Sequence, residues 1–434
     1  MRAIVHGGHS RRADLRVPGD KSISHRALLF SLISEGTSRI DGLSRALDVG
    51  ATRVAIECLG AKVIDDSDAV FVVGVGGEFT EPERIIDVGN SGTLLRLITG
   101  VLAGSVGNSF FLSGDASIVR RPMQRVVEPL GAMGATIVGR GLNQYAPLAI
   151  SGQPLVGITY SMSLPSAQVK SALMFAGLFA EGETVLIEQN ATRAHTEEMA
   201  VRYGAKVSVD DQGDAKVIRV TGSRLKATDF VVPGDPSAAA FFVVLGLIGQ
   251  SQIRIEDVYL GPQRDGFVDV LLQMGAQIEV MSQTDSLFTI VAHPSDLTWC
   301  DVGPSKIAGL IDEIPILAVA ASRAKGRTRF LGVDELRHKE SDRIATTLAM
   351  LKTFDVHCSE IEGGFEVEGT FTASKNNRRI VESHFDHRIA MSAAILASLH
   401  KGKTEITGFE SVSTSFPGFA DRLRECGIRT DLKH

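Results

Sequence analysis

Cysteine is scarce in this chain, aromatics are few, and no apolar run is long. The four cysteines, Cys58, Cys300, Cys358 and Cys426, lie far apart and form no CxxC pair. That argues against a disulfide framework and a zinc site, and predicts reduced, mostly buried thiols in a cytoplasmic protein. The most apolar stretch, residues 238–248, is too short for a bilayer and reads as a buried helix. Basic residues open the chain but no apolar core follows them, so no signal peptide is expected. A basic excess is missing too: the net charge is −6, which gives nucleic acid no whole-chain footprint. Nucleotide-binding spacings are also absent. Gly74-Val75-Gly76-Gly77-Glu78 is a fragment of a dinucleotide fingerprint without its GxGxxG spacing.

What the chain does have is length and glycine. Its 434 residues suit two or three domains, and 44 glycines suit many short elements joined by tight turns. One phrase recurs: an apolar residue, Gly-Ala, then a β-prone segment. Its glycines are Gly60, Gly134, Gly204 and Gly275, with a decayed copy at Asp355 and a last one at Gly427. The steps are 74, 70, 71, 80 and 72 residues. Glycine after an apolar segment signals a helix end, and the alternation after it signals a strand. The chain therefore reads as six copies of a small α/β unit. A second echo is Val17-Pro18-Gly19-Asp20 against Val232-Pro233-Gly234-Asp235. Each Asp can cap a helix, and Pro236 then takes the first helical position. The first of these helices should end near Gly36.

Polar residues crowd the starts of apolar helices. Lys21-Ser22-Ile23-Ser24-His25-Arg26 puts cations and hydroxyls at a helix N-terminus, where free N–H groups already favour an anion. Gly89-Asn90-Ser91-Gly92-Thr93 is a glycine-rich turn entering a helix. Arg120-Arg121 adds adjacent guanidiniums suited to phosphate or carboxylate. Ser166-Ala167-Gln168 starts another apolar helix, where ordinary capping by Ser166 is an equally good account. In the second half, Asp312-Glu313 sits inside an apolar run, as a cap or as a base. The run 337–343, which holds Lys339, Glu340 and Arg343, is usually a solvated face. Asp386-His387-Arg388 precedes one more apolar helix.

In their order and spacing from residue 20 to 417, these segments, with Ser415-Phe416-Pro417, resemble the EPSP synthase family. The resemblance implies an α/β fold of two lobes, each of three βαβαββ units. One lobe would be residues 1–19 plus 234–434 and the other 20–233, with the active site in the cleft between them. It implies transfer of the enolpyruvyl group of phosphoenolpyruvate to the 5-hydroxyl of shikimate 3-phosphate, through a tetrahedral intermediate. No metal or cofactor is implied, nor any nucleic-acid or membrane partner, and the family is mostly monomeric. Catalysis would fall to Asp312, Glu340, Lys21 and Lys339. Lys21, Ser22, Arg26, Ser166, Ala167, Gln168, Arg193, Asp312 and Lys339 would meet shikimate 3-phosphate. Lys21, Gly92, Arg121, Gln168, Arg343 and Arg388 would meet phosphoenolpyruvate.

The chain departs from a common family pattern at Thr414, where many members carry lysine, and at Ala167, where serine is frequent. Asn90-Ser91-Gly92-Thr93 resembles the glyphosate-sensitive pattern, in which Gly92 leaves room that an alanine would fill. The alternative reading is a UDP-N-acetylglucosamine 1-carboxyvinyltransferase. That family usually carries a reactive cysteine in the region of residues 120–124, and no cysteine lies between Cys58 and Cys300 here.

Overall fold

The structure, a computed structural model, describes residues 1–8, 10–67, 69–213, 215–284, 286–369 and 378–433. The chain divides into two compact units, Met1–Pro18 with Pro233–His434, and Gly19–Val232. Both breaks fall inside a Val-Pro-Gly-Asp turn.

Each glycine of the recurring phrase follows a helix and carries a positive φ: +102° at Gly60 and Gly134, +83° at Gly204, +85° at Gly275 and Gly427. Asp355, the decayed copy, takes the same conformation with φ 59°. This left-handed residue ends a helix and turns the chain into a strand each time, which is why glycine recurs there.

Among the described residues, six four-stranded sheets form, three in each unit. All share one pattern. In the second repeat, Ile86–Asp87 pairs parallel with Ser109–Ser113, which pairs antiparallel with Tyr145–Ser151, which pairs antiparallel with Thr136–Gly139. With the helices Gly92–Ala103 and Gln124–Ala132 between strands, the order is βαβαββ. Two repeats are spliced. Strand Ala13–Arg16 belongs to the sheet of Ile253–Tyr259, and Phe230–Val231 belongs to that of Thr37–Asp41. Each of these strands runs into a Val-Pro-Gly-Asp turn and leaves its own unit there. The sixth repeat is closed by the first strand, Arg2–His6, which lies between Lys403–Thr407 and Thr430–Lys433.

A core helix follows the first strand of each repeat, preceded in one repeat by the short, partly buried helix Pro304–Leu310. Pro236–Ile248 and His387–Ser398 are buried along their whole length, and Lys21–Ile33 from Ile23 onward. That last helix stops at Ile33, three residues before Gly36, where Ser34 turns into a short strand. In the unit Gly19–Val232 the core helices close on one another through Phe30 and Phe175, ring centroids 4.7 Å apart. At Gly100 the approach is so tight that a Cβ would stand 2.0 Å from the Ala172 carbonyl oxygen. Two of the four thiols are buried, Cys300 and Cys426; Cys58 is exposed and Cys358 half-buried, which corrects the expectation for that pair.

Candidate active site

The capping chemistry read from the sequence is in place. Asp20 accepts from the Ile23 N–H at 2.8 Å, Ser91 from Leu94 at 3.1 Å, and Ser166 from Val169 at 3.4 Å. Asp235 and Asp386 cap their helices in the same way, at 2.8 and 2.9 Å. Lys21, Ser22, Gly92, Ala167, Gln168 and Arg388 therefore sit at the N-termini of core helices, where dipole ends and free N–H groups favour anions.

In the unit Gly19–Val232, one cluster gathers around Gly92. A methyl group built on Gly92 would lie 2.8 Å from Arg121 Nη1 and 3.0 Å from Arg96 Nη1, so two guanidiniums flank that bare helix start. Arg96 donates to Gln168 Oε1, and Gln168 Nε2 donates to Thr93 Oγ1 at 3.0 Å. Arg121 is buried beside Asn90 and Ser117, whereas Arg120 is exposed, so the two arginines do not act as a pair. Lys21 Nζ donates to Asp48 Oδ2 at 2.9 Å. Arg26 is buried and donates to the Ser22 carbonyl at 2.9 Å, to Thr196 Oγ1 at 2.7 Å and to Ser171 Oγ at 2.6 Å. His25 stays neutral: burial, then Lys21 and Arg26, hold its pKa well below the usual histidine value. Ala167 opens its helix with a backbone carbonyl that accepts from Ser171, and Arg193 is half-buried in the segment before helix His195–Arg202.

The other unit carries a mixed cluster built on Arg343. This guanidinium is 1% exposed. It donates to Asp386 Oδ2 at 2.9 Å and Glu340 Oε2 at 2.5 Å, and reaches Asp312 Oδ1 at 3.3 Å. Burial alone would lower its pKa, but Asp386, Glu340 and Asp312 outweigh burial and raise it. Lys339 Nζ stands 3.6 Å from Asp312 Oδ1. Burial holds its pKa below the ordinary lysine value, against the pull of Asp312. The charged run 337–343 is therefore not simply a solvated face: Arg343 and Lys339 turn toward Asp312, and Glu340 pairs with Arg343. Arg388 is buried, donates to the Ser237 carbonyl at 3.4 Å and lies over the Phe241 ring. Glu313 is no cap; it accepts from Ser237 Oγ. Thr414 Oγ1 meets His387 Nδ1 at 3.3 Å, next to Arg388.

Sequence reasoning missed Arg96, Asp48, Ser171, Thr196 and Arg264, the last of which donates to Asp235 Oδ1 at 2.9 Å. Arg96 was findable: it lies one helical turn after Gly92 on the same face. The cluster around Gly92 is richer in cations than in carboxylates and suits anionic ligands. The one on Arg343 interleaves carboxylates with cations and suits proton transfer. The glycine-rich stretch 74–78 instead lines a cavity of about 730 Å³ at the C-terminal ends of core helices, with Glu35 and Glu78. Helix C-termini and glutamates repel anions, so that cavity is no part of this chemistry.

The comparisons with known proteins agree with this geometry. The structure superposes on that of EPSP synthase from Acinetobacter baumannii with a TM-score of 0.86, at 35% identity and over 100% of both chains. It superposes on the enolpyruvyl transferase NikO from Streptomyces tendae with a TM-score of 0.79, at 16% identity, covering 99% and 98%. The fold is thus that of the enolpyruvyl transferases. Within that class, the family model for EPSP synthase (3-phosphoshikimate 1-carboxyvinyltransferase) matches residues 5–423. The 3-phosphoshikimate 1-carboxyvinyltransferase of Synechococcus sp. (strain RCC307) is 43% identical over 96% of this chain and 98% of its own. That of Geobacter sulfurreducens is 40% identical over 98% and 99%. The chain belongs to the EPSP synthase family and is an enzyme of that family.

Proposed function

We propose that this enzyme transfers the enolpyruvyl group of phosphoenolpyruvate to the 5-hydroxyl of shikimate 3-phosphate, releasing phosphate, in aromatic amino acid biosynthesis. Lys21, Ser22, Arg26, Ser166, Ala167, Gln168, Arg193, Asp312 and Lys339 meet shikimate 3-phosphate. Lys21, Gly92, Arg121, Gln168, Arg343 and Arg388 meet phosphoenolpyruvate. Several guanidiniums and ammoniums offset the repulsion between two anionic substrates.

The observation that carries the chemistry is the joining of Asp312, Lys339 and Glu340 around the buried Arg343. Asp312 takes the proton from the 5-hydroxyl as its oxygen bonds to C2 of phosphoenolpyruvate. Lys339 or Glu340 delivers a proton to the methylene carbon, giving a tetrahedral ketal. Elimination then returns that proton to the protein as the C2–O bond to phosphate breaks, and the departing phosphate takes up the proton that Asp312 removed, which restores the carboxylate. Each such transfer is worth about 10²- to 10⁴-fold, and holding the two substrates together supplies much of the remainder.

The enzyme is proposed to act as a cytoplasmic monomer without metal or cofactor. No helix among the described residues is long and apolar enough to cross a membrane. Phosphate release from phosphoenolpyruvate, with EDTA present, tests the assignment. Release with shikimate 3-phosphate and none with UDP-N-acetylglucosamine is expected; the reverse result would move the chain to the sister activity.

A further inference from the structure

We infer that Lys170 is a positioning residue that sets the direction of Arg26 through a buried ion knot. The inference rests on the reading of Arg26 as a contact to shikimate 3-phosphate. Lys170 lies early in the helix Ala167–Gly177 and is 1% exposed. Its ammonium reaches Glu188 Oε2 at 3.0 Å, Glu197 Oε1 at 2.6 Å and the Thr192 carbonyl at 3.5 Å. Three acceptors match its three N–H groups, which a planar guanidinium would not do. Glu188 ends the strand Glu183–Glu188 and also accepts from Thr192 Oγ1 at 2.6 Å. Glu197 stands in the first turn of the helix His195–Arg202. One cation thus ties a core helix to a strand end, to the segment bearing Arg193 and to the next helix.

The consequence lies in the neighbouring residues. Ser171 follows Lys170, and Thr196 precedes Glu197. Their hydroxyls are 2.6 Å apart and together receive Nη2 and Nε of Arg26. The register between the two helices therefore decides where this guanidinium points. An apolar contact would hold the helices about as firmly as a buried ion pair. The ionic knot instead fixes one register, because a slip would strip two buried carboxylates of their cation.

The test is Glu197→Gln, which keeps volume and hydrogen bonding while removing one charge, run beside Lys170→Met in the full chain. Folding is checked by circular dichroism and thermal melting. The expected result is a rise of about tenfold in KM for shikimate 3-phosphate with KM for phosphoenolpyruvate nearly unchanged. In an Arg26→Lys background the added loss from Glu197→Gln should nearly vanish, because the two act through one group. Equal rises in both KM values, or losses that simply add with Arg26→Lys, would overturn the inference in favour of general stability. Calorimetric binding of shikimate 3-phosphate gives the same comparison without turnover. Absence of turnover in the wild type would count against the proposed reaction, whereas wild-type turnover with an unaltered Glu197→Gln would count against the knot.

Discussion

Single side chains at this site do their work through partners, and the partners set what a substitution costs. Asp312 meets both Lys339 and Arg343, so Asp312→Asn keeps the shape but removes the proposed base. Steady-state kinetics should show kcat lower by about 10²- to 10⁴-fold with smaller changes in KM. Lys339 gives a second, pH-based expectation. Burial lowers its pKa, so the ammonium is lost before an ordinary lysine would lose it. If its proton serves the methylene carbon, the alkaline limb of the kcat profile lies below the free-lysine value of about 10.4. In Lys339→Arg the charge persists, and that limb should move to higher pH; a limb that stays in place removes Lys339 from proton transfer. Gly92 is a third case. A methyl group there would press on the tips of Arg96 and Arg121, which are flexible enough to give way. Gly92→Ala should therefore weaken inhibition by glyphosate more than it raises KM for phosphoenolpyruvate, read from Ki and KM in one assay. Equal losses would mean that the methyl group disturbs the whole anion site.

Helix starts were the most legible feature of the sequence, and the reason is local. A capping Asp or Ser followed by polar residues and an apolar run announces itself within one turn. That is why Lys21, Gly92, Gln168 and Arg388 could be picked from the sequence, while Asp48, Thr196 and Arg264 could not. They come from other helices or loops and meet their partners across 27, 170 and 29 residues of chain. The burial of Arg343 at the end of the charged run was hidden for the same reason, since its partners Asp312 and Asp386 lie far off in sequence. Helix packing adds an expectation of its own. The helices Gly92–Ala103 and Ala167–Gly177 touch at Gly100 with no space for a side chain. Gly100→Ala must push them apart, at a cost of about 1–3 kcal/mol or more. The same shift would pull Arg96 from Gln168, so chemical denaturation should show lower stability and kinetics a higher KM for both substrates.

At the scale of the whole molecule, repetition and the crossover at the two Val-Pro-Gly-Asp turns were legible, and the strand exchange that accompanies the crossover was not. The six left-handed turns recur because every repeat needs the same backbone bend, and even Asp355 keeps it. Strand exchange at the two Val-Pro-Gly-Asp turns depends on pairing between segments 240 residues apart at Ala13–Arg16 and 190 apart at Phe230–Val231, which such short strands do not announce. The sixth repeat shows what such splicing permits. Its sheet takes its third strand in order, Arg2–His6, from the start of the chain, and Arg2 stands in antiparallel register opposite Lys433. In the other repeats a direct turn joins the equivalent strands. A short Asn-Gly hairpin linking these two strands should therefore restore the ordinary βαβαββ order without moving either one. New termini can open between Val106 and Gly107, an exposed turn following the C-terminus of a core helix and so away from the helix starts that carry the site. This circular permutant should fold, with kcat close to that of the parent chain and stability within about 1–2 kcal/mol, because every buried strand keeps its neighbours. Kinetics and urea unfolding decide the matter. An insoluble or inactive permutant would mean that the first strand must be laid down before the repeat it completes, and that the order of synthesis, beyond the final pairing, is part of what folds this chain.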